Sequence, residues 1–327
     1  MICPPLPRAD APGSMAPTAR QIQSLRDLGV DAEIFDMQGI PKLKYVQAIP
    51  RIRQLAASAD LIHAHFGYCG WLARTASRKP MVISFMGDDL LGTAMSNGNM
   101  SRLSMAMARC NRRLARRANA VIVKSGEMAR VLAPWPSTVI PNGVDLDVFR
   151  PMDRTAARTA LGMDDGRHKV LFPGNPDYPV KGFPLASAAV SVAEDVLHQP
   201  IDLVPLWNVD PSRVPLYMNA VDAMLMTSIS EGSPNVVKEA MACNTPVIGV
   251  PAGDVHELLD GVAGCVKSGR GPAEMGRHLA QMLVQPQPVA GRPAIVAKRL
   301  DLESIARRVI EVYESVLGGK PATRVEG

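Results

Sequence analysis

The chain has 327 residues, of which 47% are hydrophobic, 20% charged and 4% aromatic, with a formal net charge of +5. This length exceeds one ordinary hydrophobic core and predicts two domains, and the composition favours α/β over all-β architecture. The five scattered cysteines form no CxxC pair, which argues against both a disulfide framework and a zinc site.

The first half of the chain contains alternating helix and strand patterns. Apolar residues at helical spacing predict a helix from Ala16 that Gly29 ends, followed by a strand over 30–35. The further predicted strands are 60–65 after a helix near 45–58, 81–85 after a helix from about Trp71, 120–124 after a helix near 102–117, and 138–140. This alternation predicts a parallel sheet. Only three residues precede the first prolines, so the first strand is expected to be short.

The second half repeats the alternation after a turn at 141–145 and a linker that begins near Phe149. We place the domain boundary at about 150–167, before a strand at 169–172. Further strands are predicted at 201–205, 223–227, 246–250 and 264–266. Asp301 is expected to cap an amphipathic last helix that ends before Gly318. The apolar face of this helix needs a surface to pack on, and its members are Ile305, Val309, Val312 and Val316.

The sequence also indicates where in the cell the protein is located. The first residues, MICPPLPRADAPG, lack the apolar core of a signal peptide, and no apolar run approaches the roughly 18 residues of a spanning helix. We therefore expect a cytoplasmic protein, with contact at the inner face of a membrane as a further possibility.

The charge is distributed unevenly along the chain. Residues 1–150 hold 19 Lys and Arg against 11 Asp and Glu, whereas residues 151–327 hold 17 Lys and Arg against 20 Asp and Glu. An anionic partner would therefore meet the first half.

The most informative segment reads Ser230-Glu-Gly-Ser-Pro-Asn-Val-Val-Lys-Glu-Ala-Met-Ala-Cys243 and lies between two predicted strands. It predicts a loop followed by a helix that Ser233 or Asn235 can cap. The free N–H groups and positive end of such a helix form a diphosphate site at the carboxyl edge of a sheet. Glu239 falls about one turn into the helix, where a carboxylate can accept hydrogen bonds from a pair of vicinal hydroxyls.

Glu231 and Glu239 also have a plainer interpretation, as a turn residue and a solvated helix residue. The spacing of the two glutamates, and their position in a loop and a helix between two predicted strands, favour the interpretation that they bind a ligand. The segment from Glu231 to Glu239 resembles the Glu-x7-Glu signature of the family 4 retaining glycosyltransferases, which have the GT-B fold. Tyr217-Met-Asn-Ala-Val-Asp222 and Thr245-Pro-Val-Ile248, on either side, resemble the segments that flank this signature in the family.

Other segments resemble family motifs in the order that the family has. They are His63-Ala-His65 after Asp60, Gly87-Asp88, Pro141-Asn-Gly-Val-Asp145 with Phe149, and Lys181-Gly-Phe183. The resemblance implies that Glu231 sits by the donor sugar, that Glu239 holds the ribose hydroxyls and that Lys181 binds the diphosphate. A lysine on a loop is usually solvated, but its charge also suits a leaving phosphate.

The chain departs from the family pattern at several positions that the family uses for donor binding. They are Asn175 in place of the usual arginine, Met86 in place of a common histidine, Asn244 in place of a common glycine, and Gly13-Ser14 in place of a glycine-rich first loop. The loop that leads to Lys181 is also one residue longer than usual. These departures predict weaker donor binding, and they leave an inactive relative as an alternative.

His63 and His65 lie two residues apart on a predicted strand and so point to one face, as a metal site would require. No third ligand is evident, and histidines of a core or cleft are the preferred interpretation, with His65 the candidate for the acceptor side. The sequence has no nucleophile elbow, P-loop or GxGxxG. Serine hydrolysis, nucleotide hydrolysis and nicotinamide chemistry are therefore unsupported.

A basic stripe lies on the predicted helix near 102–117. It consists of five arginines at helical spacing, Arg109, Arg112, Arg113, Arg116 and Arg117, whereas Leu103, Met107, Cys110 and Leu114 form an apolar stripe elsewhere. One interpretation is a solvated outer face with the apolar stripe packed on the sheet. The other is contact with anionic lipid headgroups or a phosphorylated acceptor. Nucleic acid is not expected, because no aromatic residues are interleaved for stacking.

We therefore predict a GT-B fold, with two Rossmann-like α/β domains whose parallel sheets face each other across a cleft. Residues 1–150 form the acceptor-binding domain and residues 151–300 the nucleotide-sugar-binding domain. Residues 301–327 form a helix that crosses back to the first domain, and a tail.

The predicted function is transfer of a sugar from a nucleotide-sugar donor to an acceptor hydroxyl, with retention and without metal or other cofactor. The acceptor would be a sugar, a glycolipid or another hydroxyl compound, in polysaccharide, lipopolysaccharide or glycolipid synthesis. Lys181 and the helix start would carry the leaving diphosphate in place of a metal. By resemblance, the acceptor attacks from the donor's own face, a phosphate oxygen takes its proton, and Glu231 positions the sugar.

The predicted site residues fall into three groups. They are Glu231 and Lys181 for catalysis; Gly13, Asn175, Lys181, Gly232, Ser233, Pro234, Asn235 and Glu239 for donor binding; and His65, Asp88 and Arg109 on the acceptor side. Three alternatives stay open: a catalytically weak family member that binds a partner glycosyltransferase, a sugar-nucleotide epimerase, and a membrane-surface binding module. The Glu231 and Glu239 signature disfavours the epimerase.

Overall fold

The structure is a computed structural model, and it describes residues 1–8, 15–39, 43–93, 95 and 100–318. The chain divides into two compact units. Among the described residues, the first unit contains those of 1–93, 100–143 and 302–318, and the second contains residue 95 and Val144–Asp301. The last helix therefore groups with the first unit, although it follows the second unit in sequence.

The two units contain eleven strands within the described residues. They are β1 (Ile2–Cys3), β2 (Phe35–Asp36), β3 (Ile62–His65), β4 (Met81–Ser84), β5 (Ala120–Val123), β6 (Thr138–Val139), β7 (His168–Phe172), β8 (Ile201–Pro205), β9 (Ala223–Met226), β10 (Val247–Gly249) and β11 (Val266–Lys267). The first unit has one parallel sheet with the order β2-β1-β3-β4-β5-β6, and the second has one with the order β11-β10-β9-β7-β8.

Helices connect these strands, as parallel pairing requires. They are α1 (Ala16–Asp27), α2 (Leu43–Ser58), α3 (Gly67–Ala76), α4 (Asp88–Leu91), α5 (Arg102–Ala115), α6 (Gly126–Leu132), α7 (Arg154–Leu161), α8 (Phe183–Leu197), α9 (Val214–Ala220), α10 (Asn235–Ala242), α11 (Val255–Leu259), α12 (Pro272–Val284), α13 (Gly291–Ala297) and α14 (Leu302–Val316). The predicted alternation of helix and strand is confirmed in both halves of the chain.

The central strands of both sheets are buried on both faces, which is typical of parallel sheets. Every residue of β3, β4 and β9 is buried. In the second unit, α8 and α12 pack closely because small residues lie at their contact. A Cβ at Gly276 would lie 2.6 Å from the carbonyl oxygen of Ala189. The alanine-rich pattern of α8 therefore has a packing role.

The predicted strand over 30–35 is wrong except at its end, because β2 covers only Phe35–Asp36. β2 is an edge strand whose sole neighbour in the sheet is β1, and their pairs are Ile2 with Phe35 and Cys3 with Asp36. Residues 31–34 precede this pairing, and no strand in the described part of the chain pairs with them. The short β1, which the sequence predicts, thus limits the length of β2.

The last helix packs against α1 within the first unit. Ile305 and Val309 of its predicted apolar face are buried, together with Ala306, Ile310 and Tyr313. Gly318 follows the helix with φ +71°, as the prediction of a glycine beyond its end requires. Within the described residues, no helix combines the length and apolarity needed to cross a membrane.

Candidate functional site

The candidate donor site lies at the carboxyl edge of the second sheet. The chain runs from β7 to β8 on one side, whereas β9 lies on the other side of β7. Loops that leave two neighbouring strands in opposite directions open a crevice, and ligands of α/β proteins bind at such a switch point. The loops concerned are 173–182 after β7 and 227–234 after β9.

Lys181 lies in the first of these loops, at the end of a 3-10 turn (Pro179–Lys181). The next residue, Gly182, has φ +71°, and a Cβ there would lie 2.3 Å from the carbonyl oxygen of Thr227. The Thr227 hydroxyl donates to the carbonyl oxygen of Lys181 at 2.9 Å. Glycine at 182 therefore lets the loop after β7 touch the loop after β9, and this contact places Lys181.

The two predicted catalytic residues form an ion pair in which Lys181 Nζ lies 2.8 Å from Glu231 Oε1. Their side chains are 31% and 18% exposed, so both remain accessible to a ligand. The aliphatic part of Lys181 lies against Gly174, where a Cβ would come within 2.9 Å of its Cγ. A partly exposed pair of this kind adds little to stability. Its main consequence is a fixed cation beside a carboxylate at the switch point.

The segment that follows Glu231 begins α10 without a side-chain cap. Pro234 holds the N-cap position with φ −69°, and Asn235 is the first helical residue. The prediction that Ser233 or Asn235 caps the helix is therefore wrong. Ser233 is instead buried, and its hydroxyl accepts from Lys238 Nζ at 3.0 Å. The first N–H groups of α10 thus receive no side-chain acceptor from the cap position.

Glu239 lies about one turn into α10, as predicted, and it is half-buried. Gly232 and Pro234, also predicted for donor binding, are buried in the loop. The side chain of Asn175 accepts from the backbone N–H of Asp177 at 3.0 Å. Asn175 therefore shapes its own loop, in a position where the family usually has a cation. Gly13 lies outside the described residues.

Two residues that the sequence did not predict to be functional hold these loops together. Arg270 follows β11, and its Nη2 donates to the carbonyl oxygens of Ser228 at 2.8 Å, Ile229 at 3.1 Å and Pro251 at 3.0 Å. Gly253 has φ +57°, and a Cβ there would lie 2.5 Å from the carbonyl oxygen of Gly232. The only sequence signals were an arginine between two glycines and a glycine after a predicted strand.

The two histidines of the first unit form a buried stack at the carboxyl end of β3, with ring centroids 4.2 Å apart. His63 bonds to the Tyr313 hydroxyl at 2.5 Å through Nδ1 and to Ser84 Oγ at 2.8 Å through Nε2. Neither ring nitrogen of His65 has a hydrogen-bond partner within the described residues. Burial lowers the pKa of His65 to about 3, so this ring is neutral at physiological pH.

The described residues contain no group of three or more histidine, cysteine, aspartate or glutamate side chains that could hold a metal ion. The stack of His63 and His65 is instead part of the core of the first unit, because both rings are almost fully buried. His63 uses both of its nitrogens in hydrogen bonds to Tyr313 and Ser84. The preferred interpretation, histidines of the core at a strand end, fits this arrangement.

Asp88, predicted for the acceptor side, is exposed at the start of α4. Its neighbour Asp89, which was not among the predicted site residues, is buried. The Asp89 carboxylate accepts from the N–H groups of Gly67 at 2.9 Å, Met86 at 2.9 Å and Gly87 at 3.0 Å. Burial raises its pKa to about 6, although these hydrogen bonds oppose the rise. Asp89 thus joins the loops that follow β3 and β4.

The apolar stripe predicted on α5 is exposed, which corrects the interpretation that it packs on the sheet. Leu103 and Met107 are 72% and 52% exposed, and only Leu114 of that stripe is buried. Asn111 explains this rotation of the helix, because it donates to the carbonyl oxygen of Asp89 at 2.7 Å and accepts from Trp71 Nε1 at 3.2 Å. The buried face of α5 consists of Ala108, Asn111, Leu114 and Ala115.

The arginines of α5 and its end share the surface with this apolar stripe. Arg112 is half-buried, and the exposed members are Arg109, Arg113, Arg116 and Arg117. The predicted acceptor-side residues His65, Asp88 and Arg109 therefore lie on three separate elements of the first unit, namely the end of β3, the start of α4 and the outer face of α5.

Two sequence models of glycosyltransferase families match the chain. The model of Glycosyltransferase Family 4 matches residues 15–148, and that of Glycosyl transferases group 1 matches residues 203–285. Together they cover about two thirds of the chain. The first match falls largely within the first unit, and the second lies within the second unit and includes Glu231 and Glu239.

Curated relatives include several D-inositol 3-phosphate glycosyltransferases. That of Mycobacterium marinum is 30% identical over 252 residues, which are 64% of this chain and 52% of that protein. That of Segniliparus rotundus is 26% identical over 307 residues, 80% of this chain and 67% of that protein. The chain thus spans about half to two thirds of the length of these relatives.

Solved structures resemble the chain over nearly its whole length. Sucrose-phosphate synthase from Thermosynechococcus elongatus has a TM-score of 0.75 at 16% identity, with 98% of this chain and 99% of that chain covered. HepE from Anabaena in complex with UDP-glucose has a TM-score of 0.70 at 20% identity, with 96% and 100% covered. At such identities the likeness shows the fold, which agrees with the two parallel sheets. The two family models place the chain in the family 4 glycosyltransferases of group 1, and the solved structures show that it has the GT-B fold, as its sequence predicts.

Proposed function

We propose that the protein transfers a sugar from a nucleotide-sugar donor to an acceptor hydroxyl, with the donor bound by the second unit and the acceptor by the first. The observation that carries this proposal is the ion pair of Lys181 and Glu231 at the strand switch point, beside the uncapped start of α10. A diphosphate needs cations and N–H donors, and a sugar needs carboxylate acceptors. The complex of HepE with UDP-glucose, a protein of the same fold, supports this class of donor.

The proposed chemistry retains the anomeric configuration and needs no metal. The bond from the anomeric carbon to the diphosphate oxygen breaks, and a bond to the acceptor oxygen forms on the same face. The proton of the acceptor hydroxyl passes to an oxygen of the leaving phosphate. Lys181 and the first N–H groups of α10 stabilise the charge that develops on the diphosphate. Glu231 holds the sugar and forms no covalent bond.

The donor site is tested by thermal unfolding with UDP, GDP, ADP and CMP and their sugars, in the absence of metal. A nucleotide at about 100 times its Kd stabilises a folded protein by about 2.7 kcal/mol and raises the melting temperature. We expect one nucleotide to do so for the wild type and the effect to be lost in Glu239→Ala, because the ribose hydroxyls lose their acceptor. Glu257→Ala, at an exposed glutamate of α11, is the matched control.

Three outcomes would count against this proposal. If no nucleotide stabilises the wild type, the chain does not bind a nucleotide-sugar donor. If stabilisation requires added Mg²⁺, the site depends on a metal. If Glu239→Ala keeps the full shift, then Glu239 does not bind the ribose.

Retention and turnover need a separate measurement with the donor that binds. NMR of the product gives the configuration of the anomeric proton, which we expect to match that of the donor. Release of nucleoside diphosphate in the presence of acceptor distinguishes an enzyme from the inactive alternative that Met86 and Asn175 suggested. A product of opposite configuration would contradict the retaining mechanism.

We further propose that the acceptor is presented at an anionic membrane surface, as a glycolipid would be. The exposed face of α5 combines Leu103, Met107 and Cys110 with arginines, and α5 contains no acidic residue. Apolar side chains beside several cations are typical of helices that lie at the lipid headgroup boundary. This combination supports the lipid alternative over a merely solvated face.

Vesicle sedimentation measures this interaction. With phosphatidylcholine vesicles rich in phosphatidylglycerol, we expect Arg109→Gln with Arg113→Gln to weaken binding about 30-fold, at about 1 kcal/mol per charge near the surface. Arg213→Gln with Arg277→Gln removes two exposed arginines from the second unit and is the control. Equal binding by the two variants, or binding to neutral vesicles alone, would contradict the assignment to α5.

A further inference from the structure

A polar cluster adjoins the candidate donor loop, and we call Ser233, Lys238 and Asp254 the lysine cluster. Ser233 and Lys238 are buried, and Asp254 is half-buried with its Oδ1 shielded from solvent. Lys238 belongs to α10 and is 1% exposed, and its Nζ donates to Ser233 Oγ at 3.0 Å. Asp254 follows β10, and the Ser233 hydroxyl and the charge of Lys238 both favour its ionised form. Residues from the loop after β9, from α10 and from the loop after β10 thus interact with one another.

Removing these charged groups from water costs free energy, so the presence of the lysine cluster requires an explanation. A buried ammonium or carboxylate loses hydration worth several kcal/mol, and pairing rarely recovers more than this loss. Burial raises the pKa of Asp254 to about 6, and its Oδ1 has no hydrogen-bond partner within the described residues. Apolar side chains of the same shape would stabilise the fold at least as well. Stability alone therefore does not account for the lysine cluster.

The cluster holds the donor loop from two directions. Lys238 anchors the Ser233 hydroxyl, one residue after Gly232. Gly253, next to Asp254, packs against the backbone, since a Cβ there would lie 2.7 Å from the carbonyl oxygen of Glu231 and 2.5 Å from that of Gly232. The loop therefore has little freedom between Glu231, which pairs with Lys181, and the first turn of α10.

We propose that Lys238 and Asp254 are positioning residues that hold the loop of residues 231–234 in its donor-binding conformation through the Ser233 hydroxyl. This inference rests on the proposed function and names residues whose identity the Glu231 and Glu239 signature leaves unspecified. Pre-organised N–H groups and carboxylates contribute to binding because they are not reorganised when the donor arrives. The lysine acts through the loop and does not itself contact the donor.

The first test needs no ligand. Hydrogen exchange of the full chain, followed by mass spectrometry of peptides that cover 228–236, reports how often this loop opens. We expect Lys238→Met to increase exchange there about tenfold, and Lys267→Met, which removes an exposed lysine paired with Asp260, to leave it unchanged. Unchanged exchange in Lys238→Met would overturn the proposal. Ser233→Ala removes the same hydrogen bond by loss of one hydroxyl, and this variant replaces Lys238→Met in the test if Lys238→Met does not fold.

The second test separates positioning from a direct charge effect on the donor. UDP, or the nucleoside diphosphate that stabilises the wild type, is titrated by calorimetry into Lys238→Met, Asp254→Asn and the double variant. We expect each single variant to bind about tenfold more weakly and the double variant to be no weaker, because both residues act through one loop. If Lys238 acted as a charge, Asp254→Asn would bind more tightly, and this result or additive losses would overturn the proposal.

The two tests also distinguish this inference from the proposed function. If the wild type binds no nucleotide but Lys238→Met loosens the loop, the proposed donor site is wrong and the packing role of the cluster stands. If the wild type binds nucleotide and Lys238→Met binds it equally well, the donor site stands and the positioning role is wrong.

Discussion

Substitution of Lys181 by methionine is expected to weaken the binding of the nucleoside diphosphate about 100-fold, since a hydrogen bond to a charged group contributes about 1.5–3 kcal/mol. Methionine keeps the aliphatic stem that packs against Gly174 and removes only the cation. The turnover rate should fall further than the affinity, because charge accumulates on the diphosphate as the sugar leaves. Calorimetry with UDP and release of nucleoside diphosphate measure the two effects.

Lys267→Met is the matched control, because it removes another partly exposed lysine of the second unit from its ion pair with Asp260. Its affinity and turnover should equal those of the wild type. Thermal unfolding of both variants shows whether the fold is kept. Equal loss of binding in both variants, or unchanged binding in Lys181→Met, would contradict the assignment of Lys181 to the diphosphate.

Glu231→Gln is expected to separate binding from turnover. The Glu231 carboxylate lies 2.8 Å from Lys181 Nζ, so a diphosphate that binds Lys181 competes with this carboxylate. Glutamine removes this competing charge, and the affinity for UDP should be unchanged or higher. Turnover should fall about 100-fold or more, because loss of one positioned polar group in an active site has effects of about this size.

Glu257→Gln, at an exposed position of α11, controls for the loss of one carboxylate from the second unit. Affinity is measured by calorimetry and turnover by product formation on the same preparations. Parallel loss of affinity and turnover in Glu231→Gln would show that this carboxylate serves donor binding alone. Unchanged turnover would remove it from the catalytic residues.

The sequence predicted those parts of the candidate site whose residues lie close together in the chain. Glu231, Pro234 and Glu239 lie within nine residues, so one stretch of sequence contains both carboxylates and the helix start between them. Hydrophobic periodicity depends on neighbours in sequence, which explains why most helices and central strands were located from the pattern alone. The edge strand β2 was overestimated, because strand length depends on the partner strand as well as on the local pattern.

The local sequence pattern did not predict contacts between segments that are distant in the chain. Arg270 donates hydrogen bonds to the carbonyl oxygens of Ser228, Ile229 and Pro251. The residues next to Arg270 in sequence do not predict this role. The orientation of α5 is a second case. Its two stripes allow either face to be buried, and hydrogen bonds of Asn111 to Asp89 and Trp71 select the face that exposes Leu103 and Met107.

The sequence by itself determined the family, the order of helices and strands, and the presence of two carboxylates on either side of a helix start, because each of these follows from short local segments of the chain. Only the tertiary structure decided that Lys181 meets Glu231 across 50 positions and that Lys238 is buried against Ser233. It also decided which face of α5 is exposed. The physical reason is that strand order brings separate loops to one sheet edge, and long-range packing then chooses among conformations that local propensity leaves nearly equal.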